Sequence, residues 1–398
     1  MSHESERLSS QMLNHAHSHP VRGSRRDFFR TLTRGTLAAA SILELAHHRA
    51  AWARAMAPAS TAQLFDIQKV AEGVYFARAR AQAEINSNAA IFVNSSDILV
   101  VDAHSKPSAA ASLIAQIKRE VSPLPVRYVV NSHFHWDHTQ GNHAYRLAEN
   151  KIDFIASEPT KRLMSDLAQA RLNDSLAQVP QQIESLRARA SKSKSAAEKA
   201  FCADQIRQLE AYRAELQHYT LELPTITFAK TYVVKDKAHE LHIEFHGHAH
   251  TAGDVVVHCP QQRVVSTGDM IHGFLPFIAD GFPVSWPKTI NSVAERDFTQ
   301  VLPGHGPLHT NRQPMTSMRN YIEELTEKVA AGKQAGKSIA DLQRTITVAS
   351  LKSMQSNGYA GFVAKNLYES EPNFGPAVPL QEGVNTNIIE IYKNLNRV

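Results

Sequence analysis

The sequence predicts an α/β fold in which sheets and helices are layered as a sandwich. Between residues 70 and 103 the chain reads as short apolar segments separated by turn signals such as Glu72-Gly73, a pattern typical of strands. A helical pattern begins at Pro107 and runs to about Glu120, and a β-branched apolar run at residues 125–132 follows it. Strands that alternate with helices in this way are typical of α/β proteins.

Residues 1–57 resemble a twin-arginine export signal. Arg25 and Arg26 stand ahead of a short apolar run at residues 36–43, and small residues that suit cleavage follow between residues 53 and 57. The apolar run is shorter than the roughly 20 apolar residues that a stable membrane-spanning helix needs. The alternative is an amphipathic surface helix with an incidental Arg-Arg pair. We expect an export signal, and therefore a periplasmic or secreted protein that the twin-arginine machinery carries.

The charge balance changes once residues 1–57 are set aside. The whole chain carries a formal net charge of +5, but this segment holds eight of the 43 basic and four of the 38 acidic side chains, so the remainder is nearly neutral. A balanced chain does not indicate a nucleic-acid partner. Two cysteines, Cys202 and Cys259, rule out a disulfide framework, and both read as free structural residues.

The chain divides into a core, an insertion and an extension. We predict the catalytic core at residues 62–310, which includes a further strand at residues 151–157. Between residues 158 and 219 the sequence is rich in Ala, Gln, Glu, Arg and Leu, which indicates two helices broken near residues 191–195. We interpret this helical insert as a hairpin that packs on the body, with a substrate lid or a dimer element as alternatives. A C-terminal helical region is predicted over residues 311–398.

The segment His133-Phe134-His135-Trp136-Asp137-His138 places three imidazoles and a carboxylate close together. An ordinary packed core gives no reason for this spacing, whereas borderline divalent metals prefer imidazole with carboxylate. The segment leaves the carboxyl end of a predicted strand, where α/β sheets keep their chemistry. Because successive side chains on a tight loop diverge, His133 and His135 can face one ion while Asp137 and His138 face a second.

Further ligand types stand at the ends of other strand-like segments. His250 lies in a glycine-flanked loop, Asp269 closes the apolar run that begins at Arg263, and His305 follows an apolar pair in a Pro-Gly-His-Gly-Pro segment. Glycine permits the close backbone approach that a crowded site needs. Each residue alone would be weak evidence, but together with the His/Asp segment they complete a metal-ligand set.

With these residues the chain resembles the metallo-β-lactamase superfamily over about residues 62–309. The superfamily's ordered motifs match at Asp102, the segment His133 to His138, His250, Asp269 and His305. The resemblance implies an α/β fold of the four-layer αβ/βα sandwich type, here with a helical insert and a C-terminal helical extension. It also favours His250 over the neighbouring His248, because the superfamily pattern uses the later histidine.

The resemblance implies a role for each matched residue. One metal would be bound by His133, His135 and His250. The other would be bound by Asp137, His138 and His305, with Asp269 bridging the two. Asp102 would orient the loop without binding metal. Two Zn²⁺ ions are the favoured cofactor, with iron or manganese as alternatives, because His/Asp sites accept several first-row ions.

The ligand types also indicate a branch of the superfamily. Asp269 stands where one group of lactamases has cysteine, and His133 stands where another has asparagine. The full set is similar to that of glyoxalase II, lactonases and related hydrolases, which implies hydrolysis of a lactone, thiolester or activated ester. A β-lactamase is the first alternative. The others are a mononuclear iron persulfide dioxygenase, which would use His133, His250 and Asp269, and a metal-binding partner protein without catalysis.

The expected chemistry follows from a metal pair. Two ions about 3.5–4 Å apart acidify a shared water, so that a metal-bound hydroxide can attack a carbonyl group at neutral pH. We expect Asp137 to orient this hydroxide as well as to bind metal, and no serine or cysteine nucleophile is needed. For a small-molecule substrate, the loop after Asp269 is predicted to form an apolar wall from Phe277, Phe282 and Trp286.

Overall fold

The structure, a computed structural model, describes residues 63–80, 87–149, 151–217, 219–370 and 380–397. The predicted export signal at residues 1–57 lies outside the described residues. Within them, two β-sheets lie face to face and helices cover their outer sides.

The first sheet has seven strands in sequential order. They are β1 (Phe65–Ala71), β2 (Val74–Ala79), β3 (Ala89–Val93), β4 (Ile98–Val101), β5 (Val126–Val130), β6 (Asp153–Ser157) and β7 (Ile226–Phe228). Neighbours from β1 to β4 are antiparallel and those from β4 to β7 are parallel. The parallel part of the sheet therefore brings the carboxyl ends of β4 and β5 to one edge.

The second sheet has five strands in the order β12-β11-β10-β9-β8 once the strands are numbered along the chain. They are β8 (Thr231–Lys235), β9 (Glu240–Glu244), β10 (Val256–Cys259), β11 (Val264–His272) and β12 (Gln300–His305). Only the pair formed by β11 and β12 is parallel among these strands.

Apolar clusters fill the spaces between the layers. Leu99 and Val101 face the second sheet, whereas Ile98 and Val100 face the outer helices, so β4 is apolar along its whole length. A third cluster lies between the second sheet and the helices that cover it, one of which carries Met318. The predicted four-layer αβ/βα sandwich is confirmed.

Helices flank both sheets and extend the chain beyond them. They are α1 (Pro107–Gln116), α2 (Trp136–Thr139), α3 (Asn142–Ala148), α4 (Glu158–Leu163), α5 (Gln169–Lys192), α6 (Ala196–Leu216), α7 (Trp286–Ala294), α8 (Gln313–Gln334), α9 (Ile339–Thr345), α10 (Lys352–Gln355), α11 (Tyr359–Ser370) and α12 (Leu380–Asn394). Wider π-helical turns continue α1 over Ile117–Val121 and link α4 to α5 over Met164–Ala168. None of the described helices is long and apolar enough to cross a membrane.

The hairpin of α5 and α6 packs beside the His133–His138 segment. The helices break at residues 193–195, and the Ser195 hydroxyl caps α6 by accepting a hydrogen bond from the backbone N–H of Glu198. Leu172 and Tyr212 of the hairpin form a buried cluster with Trp136. The insert thus contacts the segment that carries the predicted metal ligands. Both cysteines are buried and free.

Candidate metal centre

The residues predicted as metal ligands meet at one end of the sandwich and are all buried. They fall into two groups. The three-histidine group contains His133, His135 and His250. The mixed group contains Asp137, His138, Asp269 and His305. Within each group the ligand atoms lie within 4.8 Å of one another, and His248 belongs to neither group.

The His/Asp segment changes conformation in its middle. The backbone is extended at His135, with φ −63° and ψ 145°, and becomes helical at Trp136, where α2 begins. Asp137 and His138 therefore lie on a helical turn, and the prediction of a loop for these two residues is wrong. The change of backbone separates the segment's side chains into the two groups.

Two glycines, Gly268 in β11 and Gly304 in β12, make room for the side chains around Asp269. Gly268 has a left-handed φ of +49°, and a side chain there would collide with Ser132. A Cβ on Gly304 would collide with the Asp269 carboxylate itself. Only glycine at both positions lets this carboxylate sit between the groups.

Hydrogen bonds at the outer ring nitrogens of His135 and His250 determine which nitrogen of each ring carries the lone pair. His135 Nε2 lies 2.8 Å from Asp280 Oδ2, and His250 Nδ1 lies 3.0 Å from the backbone oxygen of Phe277. A carboxylate and a carbonyl only accept, so both outer nitrogens donate. The inner atoms, His135 Nδ1 and His250 Nε2, then direct lone pairs at each other across 2.9 Å. A cation bound to both lone pairs would relieve their repulsion.

The third histidine of this group is oriented in the same way. The Ser132 hydroxyl donates its one hydrogen to Asp102 Oδ2 at 2.9 Å and lies 3.0 Å from His133 Nδ1. His133 Nδ1 must therefore donate to Ser132, which leaves the Nε2 lone pair facing inward. That buried Nε2 has no hydrogen-bond partner within the described part of the chain.

The mixed group places two carboxylates against two imidazoles. His138 Nε2 lies 3.2 Å from Asp269 Oδ1 and 3.5 Å from Asp137 Oδ2, and His305 Nε2 lies 3.1 Å from Asp137 Oδ2. His138 Nδ1 donates to Asp102 Oδ2 at 2.8 Å. Burial would lower the pKa of His138, but Asp269, Asp102 and Asp137 together hold it well above its usual value. The carboxylates thus strongly stabilise positive charge at the mixed group.

Asp269 belongs to both groups by distance. Its Oδ2 atom lies 3.3 Å from His305 Nε2 of the mixed group. The same oxygen lies 3.6 Å from His250 Nε2 and 4.0 Å from His133 Nε2 of the three-histidine group. Inward imidazole nitrogens around carboxylates, without thiolate, fit divalent first-row ions such as zinc.

Arg171 of the insert supports the three-histidine group through Asp280. Its guanidinium forms two hydrogen bonds with Asp280, of 2.8 and 2.9 Å, and lies 4.9 Å from the centre of the Phe134 ring. Burial would raise the pKa of Asp280, but hydrogen bonds from His135 and Arg171 hold it well below its usual range. Neither Asp280 nor Arg171 was predicted from the sequence. The one sequence signal for Asp280 was that it is an acidic residue in a loop that contains several aromatic residues.

The residues predicted as a substrate wall lie in three different places. Phe277 is half-buried, and its ring lies 5.7 Å from that of His135, so it does border the centre. Phe282 is half-buried, and its ring lies 4.4 Å from that of His248, which belongs to neither ligand group. Trp286 is 0% exposed, and its indole N–H donates to the backbone oxygen of Met270 at 3.0 Å. Trp286 is a core residue and lines no surface.

An aromatic residue that the sequence analysis did not name borders the other side of the centre. Phe274 is half-buried, and its ring lies 5.6 Å from that of His305 and 5.3 Å from that of His272. Phe274 and Phe277 therefore flank the mixed group and the three-histidine group, respectively.

Known protein families and solved structures include several that are similar to this chain. The family model of the metallo-beta-lactamase superfamily matches residues 84–305. Similar solved structures include a metallo-beta-lactamase from Pontibacter korlensis, with 19% identity over 65% of this chain and 99% of that chain and a TM-score of 0.48. Another is the mono-zinc form of a metallo-beta-lactamase from Pseudomonas aeruginosa, with 19% identity over 65% and 95% and a TM-score of 0.46. No curated protein matches the chain significantly.

Proposed function

The chain belongs to the metallo-beta-lactamase superfamily, and we propose that it is a hydrolase that uses two divalent metal ions on a carbonyl substrate. The arrangement around Asp269 carries the proposal, because two groups of inward-facing donors share this one carboxylate. The three-histidine group would hold one ion and the rest of the mixed group the other. Zinc is the proposed metal, since imidazole and carboxylate donors suit it.

Two bound divalent ions supply an acidified water and polarise a carbonyl group. The chain's own residues prepare the site for this chemistry. Burial would raise the pKa of Asp137, but His138 and His305 hold it well below its usual value, so its carboxylate stays ionised. Asp137 can then accept a hydrogen bond from a water at the centre and orient it, which is the role we propose for it beyond metal binding.

The substrate class follows from the charge of Asp269 and from the aromatic residues at the rim. A carboxylate shared by both groups tempers the positive charge of the centre, which favours substrates with good leaving groups. A thiolate or the alkoxide of a strained lactone leaves more readily than the nitrogen of a lactam. Phe277 adds half-buried apolar surface beside His135 and His250, and Phe274, which also packs against the core cluster, adds less at the other side. We therefore propose a lactone, thiolester or activated ester as substrate.

A steady-state panel on zinc-loaded protein tests this proposal. We expect kcat/KM for lactones or thiolesters to exceed that for penicillins and cephalosporins by at least about 100-fold, or about 2.7 kcal/mol. Efficient lactam turnover with weak ester turnover would identify a β-lactamase instead. One bound iron with oxygen consumption on a persulfide would identify a dioxygenase. Two bound ions without turnover of any class would indicate a metal-binding protein.

We propose that the protein is exported by the twin-arginine route and acts in the periplasm or outside the cell. The support is Arg25-Arg26 ahead of a short apolar run, and a route for folded proteins suits a centre that binds metal before translocation. Replacing both arginines by lysine should leave the protein in the cytoplasm with residues 1–57 attached. Unchanged periplasmic accumulation would contradict the proposal. We likewise propose the domain division at residues 62–310, 158–219 and 311–398.

A further inference from the structure

His272 is a buried imidazole at the centre to which the proposed function gives no role. It is 2% exposed, and its Nε2 atom lies 3.5 Å from Asp269 Oδ2. Neither of its ring nitrogens has a hydrogen-bond partner among the described residues. A buried polar group without a partner costs free energy, so its presence calls for a physical explanation.

An irregularity in β11 turns His272 toward the centre. In a regular strand, residues three apart point to opposite faces, so His272 would face away from Asp269. Here Gly268 pairs with Pro303 and His272 pairs with His305, so β11 takes four steps where β12 takes two. The extra residues form a bulge, and bulges are typical devices for re-aiming a side chain. Asp269 and His272 consequently lie on the same side.

His309 shows that burial without partners is not by itself a metal signal. It is also 2% exposed, and both of its ring nitrogens also have no partner within the described ranges. Its ring lies 5.7 Å from that of Phe362, and it belongs to none of the potential metal-binding groups found among the described residues. His272 differs because its donor atom, that of His250 and a carboxylate oxygen of Asp269 all lie within 4.8 Å of one another.

We propose that His272 is a further protein ligand of the metal centre and that its Nε2 atom binds the ion held by His250. The inference rests on the proposed function, in that it requires a metal at the centre. Two nitrogens bound to one ion at about 2.1 Å each lie at most about 4.2 Å apart. The donor atoms of His272, His250 and Asp269 lie within 4.8 Å of one another, so these three need only a small closure. We assign Nε2 of His272 as the metal-binding atom because it is the ring nitrogen that faces Asp269.

The added ligand changes the kind of ion that this position prefers. Together with the three histidines and a shared Asp269 oxygen, His272 would complete a set of five protein donors. In the structure His272 is grouped by distance with His250 and Asp269, so His133 and His135 would have to move closer to it when the ion binds. Zinc sites in proteins are mostly complete with four donors, and catalytic ones keep a position open for water. A five-donor position therefore favours an ion of higher coordination number and leaves the open position to the mixed group.

The test compares His272→Phe with the matched control His309→Phe, both in the full-length protein loaded with cobalt(II). Phenylalanine keeps the ring volume and removes the nitrogens. The readouts are bound ions per chain, the dissociation constant by chelator competition, and visible absorption, which intensifies when the coordination number of cobalt falls toward four. We expect His272→Phe to keep two ions, to weaken binding of one by more than about 10-fold and to intensify the absorption. His309→Phe should leave all three readouts unchanged.

Wild-type affinity and absorption in His272→Phe would show that His272 is not a ligand. Loss of one whole ion from an initial three would reveal a separate ion site and would also overturn the proposal. If His272→Phe does not fold, His272→Ala with added free imidazole replaces it, and failure of imidazole to restore the wild-type absorption counts against the proposal. None of these readouts uses a substrate. An inactive wild-type protein would therefore contradict the hydrolase assignment without contradicting this inference. A wild-type protein that binds no cobalt would overturn both.

Discussion

The two groups of the metal centre are supported from different parts of the chain. Behind the mixed group, Asp102 at the end of β4 accepts hydrogen bonds from His138 and from the backbone and hydroxyl of Ser132, just after β5. In the three-histidine group, Asp102 reaches His133 through Ser132. His135 and His250 are instead supported by Asp280, by a backbone carbonyl of the same loop and by Arg171 of the insert. The mixed group is thus built on adjacent strand ends, and the three-histidine group depends in addition on segments far apart in sequence.

The groups also differ in charge. Burial lowers the pKa values of His133 and His250 well below their usual range, so these two imidazoles present neutral lone pairs. In the mixed group, carboxylates outweigh the effect of burial and raise the pKa values of His138 and His305. His133 and His250 can therefore bind a cation without losing a proton, whereas His138 and His305 hold protons that a cation would displace. The two positions should therefore be separable by mutation.

The largest expected effect comes from removing a ligand of the mixed group alone. Asp137→Ala should lower the metal content from two ions to about one and reduce kcat/KM on the order of 10³-fold, because both a ligand and the water-orienting carboxylate are lost. Elemental analysis and steady-state kinetics measure the two effects. Asp204→Ala, at a more exposed acid on α6, is the control and should change neither. Two retained ions in Asp137→Ala would contradict the division into groups.

Both supporting carboxylates should matter when each is replaced by its amide. Asp280→Asn should weaken metal binding at the three-histidine group by about 10- to 100-fold. It should also lower the free energy of unfolding of the metal-free protein, because hydrogen bonds from His135 and Arg171 stabilise the ionised carboxylate of Asp280 in the fold. Asp102→Asn should also lower the free energy of unfolding by about 1–3 kcal/mol, since Asp102 is buried and accepts three hydrogen bonds. Chelator competition and denaturant unfolding measure these effects. Wild-type metal affinity in Asp280→Asn, or wild-type stability in Asp102→Asn, would contradict the support assigned to these carboxylates.

The sequence was sufficient for the ligands because each stands near the end of a strand-like apolar run, and strand ends meet at one edge of a sheet. Asp102 was found for the same reason. Asp280 and Arg171 were not, since their contact joins positions 109 residues apart and depends on how the insert packs. His272 was missed because strand alternation places it on the wrong face and the bulge has no clear sequence signal.

Two further predictions failed because the sequence does not fix the local environment. Trp286 was assigned to a substrate wall by residue type, but the helix that begins there turns it into the core. Asp137 and His138 were assigned to a loop, since a single helical turn leaves too short a pattern to recognise. Backbone periodicity predicts layers well, but single side chains at the site depend on tertiary packing.

A smaller effect is expected from the insert's contact with the three-histidine group. Arg171→Lys keeps the charge but loses the planar fork that forms two hydrogen bonds with Asp280. We expect metal binding at the three-histidine group to weaken by about 10-fold, with binding at the mixed group unchanged. Arg187→Lys, an exposed change on the same helix, is the matched control. Equal weakening at both groups would mean that Arg171 acts on the whole fold and not through His135.

The smallest effect should separate the aromatic residues that flank the two groups. Phe274 packs against the apolar cluster that covers the second sheet, whereas Phe277 borders His135 and His250. Leucine keeps the apolar character of either position and removes the ring, which is worth about 0.5–1.5 kcal/mol in an aromatic contact. We expect Phe277→Leu to raise KM for a lactone by about 2- to 12-fold with kcat nearly unchanged, because a contact that is equal in the bound substrate and the transition state affects binding alone. Phe274→Leu should instead lower the free energy of unfolding and leave KM close to wild type. Steady-state kinetics and thermal unfolding of both variants decide the matter, and the reverse pattern would place the substrate over the mixed group.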